Sequence, residues 1–338
     1  MRAARLYGIG DIRVEEVEAP PPPPAGSVRV KVAAAGICGS DLHNFRTGQW
    51  ISRVPSVPGH EVAGTVAALG EGVTGLVPGD VVVADSRVWC GTCPACRAGR
   101  RNLCASLGYV GEVCDGGFAE EMVLPARLLH RVEGRVDPGV AAMAEPLAVA
   151  LHAVAKAAAV PEKPALVVGC GPIGGLAALV LARRGCRDLL IADRNAARRD
   201  LVAAVTGGRG VTLEPAAVAA ALDGAPLEHA VEATGSVAAL EALLDVVSNG
   251  STVALVGIAH GSLALDPNRL VEREVTLAGC SAFADELPQA VALLPELAPQ
   301  LARLIDAEIG LAGVPEAYRR LVAGEVTGLK VVVRPDRG

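Results

Sequence analysis

The chain has 338 residues, a formal net charge of −6, 51% hydrophobic residues and only 2% aromatics. Such a length exceeds what one hydrophobic core serves and predicts two domains, while an acidic balance without a Lys/Arg block argues against nucleic acid as a partner. No apolar run approaches the roughly 20 residues of a spanning helix, and MRAARLYGIGDIRVEE has no signal-peptide core. The expectation is therefore a soluble, cytoplasmic protein whose nine cysteines are thiols or metal ligands.

Residues 2–35 predict short strands at RAARLYG, IRVEEVEA and SVRVKVAAA, the last with the clearest alternation. The unbroken run Pro20 to Pro24 fits neither helix nor central strand and reads as an extended connector. Then GICGSDLHNFRTGQWISRVPSVPGHE gathers Cys38, Ser40, Asp41, His43, His60 and Glu61 among small, turn-prone residues. Thiolate, imidazole and carboxylate form a donor set that Zn²⁺ accepts. Taken singly, Cys38 reads as a small buried hydrophobe and His60 as a core histidine. Strands at EVAGTVAALG and VVVAD, divided by the turn GEGVTGLVPGD, complete a β-rich segment punctuated by Gly and Pro.

WCGTCPACRAGRRNLC places Cys90, Cys93, Cys96 and Cys104 at successive spacings of three, three and eight. Four thiolates close a tetrahedron around zinc and leave no open position, so this is a structural site that staples an irregular loop. The bacterial ferredoxin run, which ends in Cys-Pro after a shorter gap, is absent. Cys114 is spare and expected to be buried, and His130, beside a leucine pair, is expected in the core. Glu145 stands where a loop becomes an apolar helix. A carboxylate there either favours the helix dipole or serves as a third metal ligand.

From Pro164 strands alternate with helices. ALVVGCGPIGGLAALVLARRG reads as buried strand, glycine turn and apolar helix, with Gly169, Gly171 and Gly174 in the G-x-G-x-x-G spacing of a dinucleotide fingerprint. The next strand, LLIA, ends in Asp193, a carboxylate suited to ribose hydroxyls and hostile to a 2′-phosphate; Arg194 beside it weakens that preference. Further strand–helix units run through HAVEATG, STVALVGIA and EVTLAGC, with Gly235 and Gly257 closing strands at the carboxyl edge or serving as plain turn glycines. DELPQAVALLPEL predicts a helix, followed by strand, helix and strand to the end. His152, His229 and His260 show no partner in sequence and read as structural.

GICGSDLH, PGHE, the four-Cys lobe, AEPLAVALHA, VGCGPIG and the strand-end Asp193, in this order, resemble the zinc-dependent medium-chain dehydrogenases/reductases over essentially the whole chain. The combination of CGSDLH with AEPLAVALHA is similar to the polyol and sugar-acid branch, which holds sorbitol, L-idonate 5- and L-threonine dehydrogenases. The resemblance implies an α/β architecture: a GroES-like catalytic domain over residues 1–148, a doubly wound Rossmann domain over 149–282 and a segment, 283–338, returning to the first domain. It places the site in the cleft where the domains meet and implies a homo-oligomer, dimer or tetramer.

It further implies that Cys38 and His60 ligate a catalytic zinc. Alcohol dehydrogenase itself uses two Cys and one His, but the second Cys position is Glu145 here. Glu61 is expected as the third ligand and Glu145 as a ligand or water-mediated partner. Gly169, Gly171, Pro172, Ile173, Gly174, Asp193 and Arg194 are expected to bind NAD, with NADP less favoured. By the same resemblance a secondary alcohol of a polyol, sugar acid or hydroxy amino acid loses hydride from its zinc-bound alkoxide. Ser40 takes the proton and passes it through the nicotinamide ribose to a near-surface His43, while Asp41 steadies His60. The alternatives are a simple-alcohol or cyclitol dehydrogenase, or a non-catalytic NAD-binding protein that should have lost these ligands.

Overall fold

In the computed structural model, which describes residues 1–259, 261–326 and 328–337, β1 (Arg2–Gly8) and β2 (Asp11–Glu16) form an antiparallel hairpin. The prolines after it carry no regular structure. β3 (Ser27–Gly36) buries Val28, Val30 and Val32 while Lys31 faces solvent, as period-two alternation requires. The next element departs from the turn-prone reading: Gly39–Thr47 form a helix, α1. Cys38 is its N-cap, with the Asp41 carboxylate accepting the Cys38 N–H at 2.9 Å. Gly48, at φ +67°, ends it in the left-handed conformation.

β4 (Glu61–Leu69), β5 (Val81–Ala84), β6 (Arg87–Val88), α2 (Pro94–Arg97), β7 (Gly108–Tyr109), β8 (Glu121–Pro125), β9 (Leu129–Arg131) and α3 (Pro138–Ala142) follow. α4 (Ala144–Lys156) leads into alternating elements: β10 (Ala165–Val168), α5 (Pro172–Arg183), β11 (Leu189–Ala192), α6 (Ala196–Thr206), β12 (Arg209–Val211) and α7 (Pro215–Ala221). Then come β13 (His229–Glu232), α8 (Val237–Val246), β14 (Thr252–Leu255), α9 (Asn268–Val271) and β15 (Thr276–Gly279). The chain ends with α10 (Leu287–Leu304), β16 (Ile305–Ile309), α11 (Val314–Ala323) and β17 (Lys330–Val333).

Two units are distinct. One comprises residues 1–145, 287–326 and 330–337; the other comprises the described residues of 146–286 with 328 and 329. The first is built on a mixed sheet in the order β16-β17-β3-β4-β5-β9, with β8 also on β3. β3 is its axis, because β17, β4 and β8 all pair with it antiparallel. The second holds a parallel sheet in the order β12-β11-β10-β13-β14-β15, reversing direction between β10 and β13. That is the doubly wound order, with its ligand crevice outside the strand ends at the reversal. Each unit has its own apolar core.

α10 is longer than DELPQAVALLPEL suggests and runs through Pro295 and Pro299. Each proline forfeits a helical hydrogen bond, but Leu294, Leu297, Leu301 and Leu304 share one buried face that holds the turns together.

Candidate active site

The six chemically capable residues come from α1 with its N-cap, Cys38, and from His60 and Glu61 at the start of β4. Sγ of Cys38, a ring nitrogen of His60 and a carboxylate oxygen of Glu61 lie within 4.8 Å of one another. His60 turns Nδ1 toward Asp41 Oδ1 at 3.6 Å, and its Nε2 lies 3.5 Å from Ser40 Oγ. Burial disfavours the His60 imidazolium, yet the charges of Asp41 and Cys38 hold its pKa well above the ordinary value. The pocket is therefore strongly attractive to positive charge.

Glu61 is fully buried. Its Oε1 accepts from Lys330 Nζ at 2.6 Å, while Oε2 has no hydrogen-bond partner. An orphaned carboxylate oxygen in a buried site costs free energy unless something positive completes it. Gly36 makes the space: a Cβ there would stand 1.9 Å from Oε2. Thiolate, imidazole and this oxygen are the donors a zinc ion takes, so the residues fit a catalytic metal. Glu145, in the first turn of α4, is held instead by Ser86 Oγ, which donates to its Oε1 at 2.6 Å. Burial raises the Glu145 pKa to about 7, against the pull of His60 and with the push of Glu61. The neighbouring Asp85 and Arg87 form a bidentate buried pair that fixes the backbone carrying Ser86.

His43 differs from the expected near-surface position. It is buried, because α1 turns that face inward; Nε2 meets Gln49 Oε1 at 2.8 Å and Trp50 lies 4.2 Å from its ring. His130, on the edge strand β9, is only half-buried, and so is Cys114, in the turn after β7. His152 has a partner invisible in sequence, Glu286, at 2.7 Å. His229 meets the Ala157 carbonyl through Nδ1 at 3.0 Å, and His260 lies outside the described residues.

Cys90, Cys93, Cys96 and Cys104 have all their sulfurs within 4.8 Å of one another. The Cys90–Cys104 and Cys90–Cys96 separations are 3.5 and 4.0 Å. Zinc–sulfur bonds of about 2.3 Å set a tetrahedral edge of about 3.8 Å, which these bracket. Backbone N–H groups of Thr92 and Cys93 lower the Cys90 thiol to about 5, favouring the thiolate a metal needs.

In the second unit, Gly169 sits at φ +96° directly after β10, and Gly171 caps α5 with Pro172 and Ile173 opening the helix. A Cβ on Gly174 would stand 1.7 Å from the Gly169 carbonyl oxygen, so only glycine lets the helix start this close to the strand. Asp193 follows β11. Its Oδ2 accepts from Cys170 N at 2.5 Å and its Oδ1 from Asn195 N at 2.7 Å, while Arg194 is exposed. The Asp193 carboxylate is thus fixed at the mouth of the glycine loop.

Residues 24–134 match the alcohol dehydrogenase GroES-like domain family and residues 172–296 the zinc-binding dehydrogenase family. The chain is 31% identical over 320 residues to the L-galactonate-5-dehydrogenase of Escherichia coli, covering 93% of each protein. It is 36% identical over 272 residues to the L-threonine 3-dehydrogenase of Deinococcus deserti, 78% of each. The chain belongs to the zinc-dependent medium-chain dehydrogenases. A zinc-binding dehydrogenase structure from Sinorhizobium meliloti, bound to NADP, superposes with a TM-score of 0.91 at 30% identity over 99% of each chain. This dehydrogenase therefore pairs a GroES-like unit with a Rossmann-type unit and is a zinc-type, NAD(P)-linked oxidoreductase of secondary alcohols.

Three residues of the dehydrogenase's site escaped the sequence reading. Ser86 and Gln49 carry no signal by themselves. Lys330 carries one: a lone cation opening the otherwise apolar run KVVV, whose strand is buried at every position.

Proposed function

We propose that the enzyme oxidises a secondary hydroxyl of a polar, polyhydroxylated substrate, a sugar acid or polyol, or of a hydroxy amino acid, to the ketone with NAD. The observation that carries this reading is the carboxylate in the metal triangle: Glu61 is joined to Cys38 and His60, with a second carboxylate, Glu145, in electrostatic reach. Two relatives named for a sugar acid and a hydroxy amino acid support the substrate class.

Cys38, His60 and Glu61 would hold the catalytic zinc, with Glu145 as exchangeable or water-mediated partner, and Cys90, Cys93, Cys96 and Cys104 the structural one. Bound in these sites, zinc would acidify a substrate hydroxyl as a Lewis acid and the nicotinamide would accept hydride. The protein's own groups do the rest. Asp41 aims His60 by its Nδ1 side and braces the Cys38 N–H. Ser40 Oγ is the first acceptor of the substrate proton, and His43, with Nε2 against Gln49, is the base that finally holds it. The amides at the start of α5 would receive the pyrophosphate, and the Asp193 carboxylate, fixed by Cys170 N, would accept from the ribose hydroxyls, which favours NAD.

Two broader features belong to the same reading. A homo-oligomer is supported by β15, which ends its sheet with an open edge. Work in the cytoplasm is supported by the five cysteines that stand in the two metal-capable groups, which a reducing compartment keeps as thiolates.

Nicotinamide reduction by the zinc-loaded protein, across L-galactonate, L-idonate, sorbitol, L-threonine and simple alcohols with NAD and with NADP, tests the reading. Turnover of a polyhydroxylated substrate with NAD, abolished in Cys38→Ser, is expected. Silence on all polar substrates, with both metals and NAD bound, would overturn the substrate class.

A further inference from the structure

Lys330 has an unusual environment for a charged residue. It opens β17, is 1% exposed, and sits 269 residues beyond Glu61. Lysine is seldom buried unless paired, and a buried ion pair is often no better for stability than well-packed apolar side chains. Stability alone therefore does not account for a cation there; its two acceptors do.

The ammonium donates to Glu61 Oε1 at 2.6 Å and to the Ile37 carbonyl at 3.1 Å. Ile37 immediately precedes Cys38, so one side chain ties the backbone just after β3 to the Glu61 carboxylate at the start of β4. With Oε1 taken, Oε2 is left as the Glu61 oxygen without a hydrogen bond, on the side that Gly36 keeps clear.

We propose that Lys330 is a positioning residue of the catalytic metal site, a clamp that sets the Cys38–Glu61 separation and holds Glu61 to one-oxygen ligation through Oε2. The proposal rests on the Cys38–His60–Glu61 triangle being the zinc site, and the test separates the two.

Cobalt(II) is exchanged into the catalytic site while the four-Cys site keeps zinc. Its absorption spectrum and its affinity against a chelator are compared for the wild type, Lys330→Met, Lys330→Gln and Lys330→Arg. Removing the clamp is expected to weaken cobalt binding by about 10- to 100-fold and to change the ligand-field bands. Lys330→Arg, which keeps charge and donors, should recover much of the wild-type spectrum, and the four-Cys metal should stay. If Lys330→Met fails to fold, Lys330→Gln carries the comparison. A Cys38-dependent cobalt spectrum unchanged in the Met or Gln variant overturns the proposal alone. No Cys38-dependent cobalt band in the wild type overturns the zinc reading with it.

Discussion

At the scale of single residues, the site is a set of side chains whose second partners are already assigned. Asp41 takes the Cys38 N–H and the His60 side, Ser86 takes Glu145, and Lys330 takes one oxygen of Glu61. Ser40 Oγ, beside His60 Nε2, stands at the metal triangle without being one of its donors, and that division assigns roles. Ser40→Ala removes a proton carrier without touching a metal donor. It should lower kcat by about 10²-fold or more while metal analysis still finds two zinc ions per chain. Loss of a zinc ion together with activity would instead make Ser40 a structural support.

Elements set where those side chains stand. The helix α1 is capped by Asp41 on Cys38 and ended by Gly48, and it carries Ser40 beside His60 and buries His43. The junction of β10 and α5 depends on a backbone approach that any Cβ at Gly174 would block. Gly174→Ala should therefore lose NAD binding by calorimetry by about 10-fold or more, 1.4 kcal/mol in free-energy terms, while cobalt or zinc at Cys38 is unaffected. A second junction is electrostatic: Glu286, just before α10, holds His152 of α4. Burial raises the Glu286 pKa, but the His152 bond and backbone N–H groups outweigh it, and the net value falls below 4.5. A carboxylate depressed in the folded state stabilises above its unfolded pKa and loses that contribution as pH falls through the folded one. Denaturation from pH 6 to pH 3 should show the gap between wild type and Glu286→Gln constant at the upper end and closing below about pH 4.5. Parallel curves throughout would mean the pair contributes nothing.

For the molecule as a whole, two sheets of different logic serve two tasks. The mixed sheet brings β17 beside β3, so the chain's last strand supplies the cation for a carboxylate from β4. The parallel sheet reverses at β10 and β13 and opens its crevice at the glycine loop. The four-Cys lobe is nearly bare of other order, with the two short strands β6 and β7 and the single turn of α2. Its folding free energy should come from the metal. Cys96→Ser should release one zinc and lower the melting temperature, while a cobalt probe at Cys38 keeps its spectrum. Unchanged melting would show that the lobe holds itself.

By itself, the sequence determined what local pattern can carry. The alternation of β3, the G-x-G-x-x-G turn after a buried strand, and four cysteines at metal spacing are short-range signals, each tied to one backbone geometry or one coordination shell. The ligand candidates were legible for the same reason: Cys38, His60 and Glu61 sit within 24 residues and differ from their surroundings in chemistry. Only the tertiary structure decided that His43 is buried and that Ser86 and Lys330 serve the two carboxylates. Those outcomes depend on contacts between residues tens to hundreds of positions apart, and no periodicity or spacing encodes such a meeting. Lys330 shows the limit most clearly. As sequence it is one cation before three valines; its partner is fixed only when β17 docks beside β3.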